Sequence, residues 1–142
     1  PRFIRYAEMV NRMTFSREAL AAIKAHAAAD PWVEVCGLLL GERDHVSTAT
    51  PAANMAADRA RRFEIDPAAL FKAIRAERAG GPKLLGYYHS HPSGRAEPSA
   101  TDQAMAAGDG KIWIIVAGEA VGAWRAEATF VPVNLFLPHN NA

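Results

Sequence analysis

The sequence predicts an α/β (α+β) sandwich, a mixed β-sheet flanked by helices, on three observations. Stretches with helical period alternate along the chain with short apolar runs rich in β-branched residues, the order that layers helices against a sheet. The 142 residues amount to one domain, able to bury about 70% of the unfolded surface around a single core. Apolar residues make up 50% and charged residues 22%, the balance of a globular protein rather than a disordered chain. No internal repeat or low-complexity linker divides it.

The first helix opens at Ser16, whose side chain suits an N-cap, presents Leu20, Ile23 and Ala27 on one face, and stops at Asp30-Pro31. Val33 to Leu40 reads as a buried strand closed by Gly41, and His45 to Thr50 as its return. Pro51 to Arg62 is alanine-rich without a clean period and reads as a surface loop with a helical turn. Phe63-Glu64-Ile65 predicts a short strand leading into a helix with Asp66 as cap and Pro67 at its first position. Leu70, Phe71 and Ile74 are expected to form that helix's apolar face, and Gly80-Gly81-Pro82 to end it. Leu84 to His89 reads as a buried strand, Ser90 to Pro98 as a loop, and Ser99 as the cap of a short helix reaching about Ala107. Lys111 to Val116 is a strong strand, with Val121 to Arg125 and Thr129 to Val133 as closing strands.

Sixteen basic against 15 acidic residues leave a formal charge of +1, so no global field gathers nucleic acid or anionic lipid, and binding to DNA would need a local patch. One cysteine, Cys36, excludes an internal disulfide and leaves any metal site to imidazole and carboxylate. It is expected to be a packed thiol. No apolar run is long enough to span a bilayer, and the opening residues lack a signal-peptide core, so a cytoplasmic location is expected. Arginine outnumbers lysine 12 to 4 in an alanine-rich chain, a bias of GC-rich codons that points to a bacterial source.

Chemistry concentrates late in the chain. His89 and His91 stand one residue apart at the end of a predicted strand, where period-two geometry sends both imidazoles to one side. Asp102 follows eleven residues after His91, in the first turn of the helix capped by Ser99, and its carboxylate can close back on the strand end. Two imidazoles and a carboxylate make a three-ligand zinc site with a fourth position left for water. Each piece also has a bland use: histidines around a turn serve as exposed polar residues, and Ser99 to Asp102 is an ordinary capping box. His26, His45 and His139 read as surface or helix-face residues.

Together, His89-Ser90-His91-Pro92, six residues, Ser99, two residues and Asp102 resemble the signature of the JAB/MPN metallopeptidases, the JAMM family. Upstream, Glu34-Val35-Cys36-Gly37-Leu38-Leu39 is similar to the family's segment on its first core strand. The resemblance covers about residues 14 to 133 and implies a JAB/MPN-like, cytidine-deaminase-like sandwich. It also implies one catalytic zinc on His89, His91 and Asp102, Glu34 as general base, and Ser99 as donor to the oxyanion. A base there makes chemical sense, because an activated water must pass its proton to the leaving amine. Ser90 and Pro92 are expected to shape the loop. Family members commonly begin near a position like Met13, so residues 1–12 read as an N-terminal extension or cloning remnant and 13–142 as the single metallopeptidase domain.

The activity so implied is hydrolysis of a peptide or isopeptide bond at the C-terminal tail of a ubiquitin-like protein, in deconjugation or maturation, including sulfur-carrier proteins. Only 40 residues follow Asp102, so the chain resembles a minimal prokaryotic core. An extended tail is expected to bind by β-augmentation beside Pro51 to Arg62 and Ser93 to Pro98, with Arg59, Arg61 and Arg62 either meeting acidic groups or forming a solvated basic loop. Two alternatives stand beside the enzyme. A non-catalytic MPN scaffold is disfavoured by the intact Glu34, His89, His91 and Asp102 set. A RadC-like DNA-associated protein shares His-x-His-Pro-Ser-Gly but carries a helical front that is absent here.

Overall fold

The computed structural model describes residues 11–138. In chain order the elements are β1 (Arg12–Phe15), α1 (Arg17–Ala29), β2 (Cys36–Glu42), β3 (His45–Ala52), α2 (Pro67–Arg78), β4 (Lys83–Ser90), α3 (Ala100–Met105), β5 (Ile112–Ala117), β6 (Ala120–Ala126), β7 (Phe130–Pro132) and β8 (Asn134–Phe136). The strands form one mixed sheet of order β7-β6-β5-β4-β2-β3-β1-β8. β4 and β5 run parallel, as do β1 with β3 and β1 with β8, and the remaining pairs are antiparallel. β7 and β8 lie at opposite edges in hydrogen-bond order, yet Val133 alone separates them. Consecutive Cα atoms are about 3.8 Å apart, so the sheet must curl until its two edges meet there.

Helices cover both faces, as the alternation of patterns predicts. α1 is capped by Ser16, which accepts from the Ala19 N–H at 3.0 Å, and buries Ala19 and Ile23 against Phe15, Leu39, Val46 and Tyr88. α2 is capped by Asp66, accepting from the Ala68 N–H at 3.0 Å, and packs Ala73, Leu70 and Ile74 on Leu38 and Leu84 on the other face. Gly80, at φ +94°, turns the chain out of α2 in a conformation that disfavours any residue with a Cβ. No helix among the described residues is long and apolar enough to cross a membrane.

Several boundaries differ from the sequence reading, each for a packing reason. Gly41 does not close β2 but sits inside it, where the β2–β3 register slips between Leu40 and Gly41 and a Cβ would overlap the His45 carbonyl. Phe63 to Ile65 makes a single bridge, Asn54 with Ile65, instead of a strand. Phe71 is 61% exposed: it lies about 100° round the helix from Leu70, off the face that Leu70, Ala73 and Ile74 bury. Thr129 to Val133 divides at Val133, whose N–H donates to Ala123 while the next N–H, of Asn134, donates to Asn11 across the other edge. β1 and β8 carry no strand signal of their own at four and three residues.

Candidate metal centre

β4 delivers the first two site residues. His89 is its penultimate residue and fully buried, while His91 lies just past the strand end at 9% side-chain exposure. α3 delivers the third. Ser99 accepts the Asp102 N–H through Oγ at 3.0 Å, and Asp102 Oδ2 accepts the Ser99 N–H at 2.9 Å, a reciprocal capping box that fixes the carboxylate. The cap and the site are therefore built from the same atoms.

The three donor atoms form a nearly equilateral triangle. His89 Nε2 lies 3.1 Å from His91 Nε2 and 3.1 Å from Asp102 Oδ2, and His91 Nε2 lies 3.2 Å from that same oxygen. Three mutual contacts with corner angles near 60° cannot all be linear hydrogen bonds, since each nitrogen carries at most one proton. They match the edge of a tetrahedron about a metal with bonds of about 2.0 Å, roughly 3.3 Å. His91 Nδ1 donates to the Arg95 carbonyl at 2.7 Å, which leaves the Nε2 lone pair facing the triangle. Phe63 stacks on the His89 ring at 4.3 Å and Trp113 meets it edge-on at 5.6 Å, fixing its plane. The set fits a single zinc ion: two imidazoles and a carboxylate preformed at coordination spacing.

Glu34 completes the cluster. One donor atom from each of Glu34, His89, His91 and Asp102 lies within 4.8 Å of the others. Glu34 precedes β2 instead of lying in it, and its main chain is held from two sides. Its N–H donates to the Arg59 carbonyl at 2.7 Å and its carbonyl accepts from Asn54 Nδ2 at 2.8 Å. On the β4 side, the Ser90 hydroxyl accepts the Val35 N–H at 2.9 Å, and the Ser90 N–H donates to the Val35 carbonyl at 3.0 Å. Ser90, expected to shape a loop, is thus a buried tie between strand end and base-bearing segment. Glu34 Oε1 is buried with no hydrogen-bond partner among the described residues.

The electrostatics separate the groups by role. Burial pushes the Glu34 carboxyl up to about 7, with Asp102 and Asp58 adding to it and His91 opposing, a value suited to taking and returning a proton near neutrality. Burial lowers His89, against the pull of Asp102, favouring neutral imidazole. Burial alone would raise Asp102, but the His89 and His91 imidazoles beside it outweigh burial and hold the carboxylate ionised. Burial would lower His91, and the neighbouring Asp102 carboxylate and Arg95 carbonyl reverse the direction. Cys36 is fully buried and pushed up to about 12 by burial first and Glu34 second, so it is an inert packed thiol.

A cleft of about 370 Å³ opens beside His91 between the β3–α2 and β4–α3 loops, lined by Glu34, Arg61, Gly94, Arg95 and Ser99 among others. Arg59, Arg61 and Arg62 are all solvent-exposed, as a solvated basic loop would be. His26 and His45 are each engaged, with the Tyr88 hydroxyl at 2.7 Å and the Thr14 hydroxyl at 2.8 Å, while His139 lies outside the described residues. The sequence reading missed Asn54 and Phe63. The one available signal for Asn54 was its isolation, the only polar side chain from Pro51 to Ala57.

A strand end and a helix N-terminus holding two imidazoles and a carboxylate at zinc spacing, with a second buried carboxyl beside them, define the class: a zinc-dependent hydrolytic centre. The chain belongs to the Prok-JAB family, prokaryotic homologs of the JAB domain, which it matches over residues 16–128. It is 36% identical over 111 residues to Desampylase of Haloferax volcanii, covering 74% of this chain and 80% of that relative. A probable TtuB-protein conjugate cleaving protease of Thermus thermophilus is 37% identical over 86 residues, 61% of this chain and 57% of the relative. A solution structure of a protein from Desulfitobacterium hafniense superimposes with a TM-score of 0.79 at 27% identity, covering 90% of this chain and 94% of that one.

Proposed function

We propose that this chain is a zinc-dependent isopeptidase that hydrolyses the amide bond at the C-terminal tail of a ubiquitin-like protein. The observation that carries this reading is the ligand triangle of His89, His91 and Asp102 with the buried Glu34 carboxyl beside it. The names of the two relatives, a desampylase and a conjugate-cleaving protease, support cleavage between joined proteins. Bound zinc supplies Lewis acidity, which activates water and polarises a carbonyl oxygen.

The protein's own groups do the rest. His89, His91 and Asp102 hold the metal, with Ser99 and Arg95 orienting Asp102 and His91. Glu34 takes the proton of the attacking water on its carboxylate and delivers it to the leaving amine. The Ser99 Oγ already accepts the Asp102 N–H, so its own proton is free to donate to the carbonyl oxygen as charge grows there. The extended tail lies in the cleft between the β3–α2 and β4–α3 loops, with exposed Arg59, Arg61 and Arg62 at its side. Residues 13–142 serve as one catalytic domain in a cytoplasmic, reducing setting, to which the free thiol of Cys36 is suited.

Metal analysis and a cleavage assay on a ubiquitin-like tail fusion test this reading. About one zinc per chain is expected, lost in the His89→Ala, His91→Ala double variant, with cleavage abolished by chelation and restored by zinc. Stoichiometric zinc in the double variant would place the metal elsewhere. A zinc-loaded parent that binds the tail and leaves it uncut would favour a scaffold.

A further inference from the structure

The β3–α2 loop, residues 53–66, has no regular secondary structure, yet it supplies both main-chain partners of Glu34. Main-chain bonds from the Met55 N–H to the Glu64 carbonyl at 2.8 Å and from the Asp66 N–H to the Ala53 carbonyl at 3.0 Å join its two arms, and one side-chain amide ties those arms to Glu34. Asn54 Nδ2 donates to the carbonyls of Glu34 at 2.8 Å and Arg62 at 3.0 Å, and Oδ1 accepts the N–H groups of Ala56 at 3.0 Å and Glu64 at 3.0 Å. Two donors meet two carbonyls and the oxygen meets two N–H groups, so the full capacity of the side chain is used. Rotating the amide by 180° would set oxygen against two carbonyls and NH₂ against two N–H groups, so the orientation is fixed. Three of the four partners lie within the loop, and the fourth is the main chain of Glu34.

This clasp acts at both ends of the site. Arg62, held by Nδ2, immediately precedes Phe63, whose ring stacks on His89 at 4.3 Å. Arg59, inside the closed loop, accepts the Glu34 N–H at 2.7 Å. Glu34 lies outside the sheet's ladders, so a loosened loop leaves its N–H and carbonyl without partners.

We propose that Asn54 is a positioning residue for hydrolysis: its amide closes the β3–α2 loop onto the Glu34 main chain and so sets the carboxylate against the His89, His91 and Asp102 triangle. This rests on the proposed function for its catalytic consequence, though not for the structural one. Asn54 is hydrogen-bonded to none of the three metal ligands, so zinc is expected to stay bound when its amide is changed.

The test is Asn54→Asp, of nearly identical shape. The retained oxygen still accepts from Ala56 and Glu64, while the new oxygen opposes the carbonyls of Glu34 and Arg62. Site-resolved amide hydrogen exchange on the zinc-loaded protein should show Glu34 N–H exchange rising about tenfold or more, with Ala56 and Glu64 changing less than about threefold. Zinc should stay at about one per chain. Turnover should fall about 10- to 100-fold with KM within about threefold, because displacement of a reacting group lowers the chemical step more than binding.

Should Asn54→Asp not fold, Asn54→Ala carries the same test, with all three N–H groups exchanging faster and zinc retained. Unchanged Glu34 exchange overturns the proposal, as does faster exchange with turnover within about twofold of the parent. If the parent itself cleaves nothing, the proposed function fails separately, and the exchange pattern alone then decides whether Asn54 holds Glu34.

Discussion

Tyr88 and His89 are neighbours on β4, and their side chains leave the sheet on opposite faces into opposite kinds of surroundings. Tyr88 enters the α1 face, among Phe15, Ile23, Leu39 and Ile114, and its hydroxyl meets His26 at 2.7 Å. Its ring crosses β2 so closely that a Cβ on Gly37 would overlap it and the Thr50 carbonyl, which gives the glycine after Cys36 a packing reason. His89 enters the other face, against Phe63 and Trp113, where its Nδ1 and the Oε1 of Glu34 are buried without partners among the described residues. Polar groups on the α1 face are satisfied. Two on the site face are left without partners among the described residues, at a cost in stability. Substitutions on the two faces should therefore separate activity from stability.

The largest effect should come from Glu34→Gln. An amide cannot take the water's proton, so turnover on a ubiquitin-like tail should fall about 100- to 10,000-fold. Zinc content and fold should be kept, because Glu34 is held by its main chain through Arg59 and Asn54 rather than by its carboxyl. A Glu34→Gln protein that turns over within a few-fold of the parent would remove the carboxyl from the mechanism and with it this contrast between the faces.

Ser99→Ala comes next, and it bears on whether a capping atom can also be a reactive one. Loss of the cap alone should lower stability by about 0.5 to 2 kcal/mol and leave turnover nearly intact. Loss of a donor to the developing oxyanion should lower turnover about 100- to 1,000-fold with affinity nearly unchanged. Both are expected, because Oγ accepts the Asp102 N–H and keeps its proton for another partner. Early melting with turnover within a few-fold of the parent would reduce Ser99 to a cap.

The two faces were also unequally legible in the sequence. His89, His91 and Asp102 could be found because metal ligation demands particular residue types, and a strand end followed by a capped helix fixes their spacing. The α1 and α2 caps were readable for the same reason, since Ser16 and Asp66 act within three residues. Asn54 was not readable, because its partner Glu34 is twenty residues away and an alanine-rich loop has no period to reveal a clasp. Phe71 was misplaced because hydrophobicity was counted without helical phase, and β8 because its pairing with β1 depends on a sheet that curls to meet itself. Local chemistry was visible, and contacts made by tertiary closure were not.

The smallest effect should sit on the α1 face and leave activity untouched. Burial lowers the pKa of His26 below its ordinary value of about 6.5, with Asp30 opposing, and burial keeps Tyr88 a phenol that donates to Nδ1. A protonated imidazole cannot accept that bond. The folded pKa lies below the unfolded one, so the unfolded chain binds the extra proton first. The contribution is then present above about pH 6.5 and lost as pH falls through the folded value. His26→Gln keeps an acceptor for the Tyr88 hydroxyl and does not titrate. Melting curves of both proteins at about pH 7.5 and about pH 5, each with chelator so that zinc release is common to both, should show the parent losing more. The excess should be on the order of a degree. Cleavage by the zinc-loaded variant at neutral pH should match the parent. Equal losses would mean that the His26–Tyr88 contact is indifferent to protonation, whereas a drop in cleavage at neutral pH would show that the α1 face reaches the site through β4 and that the two faces are not separable.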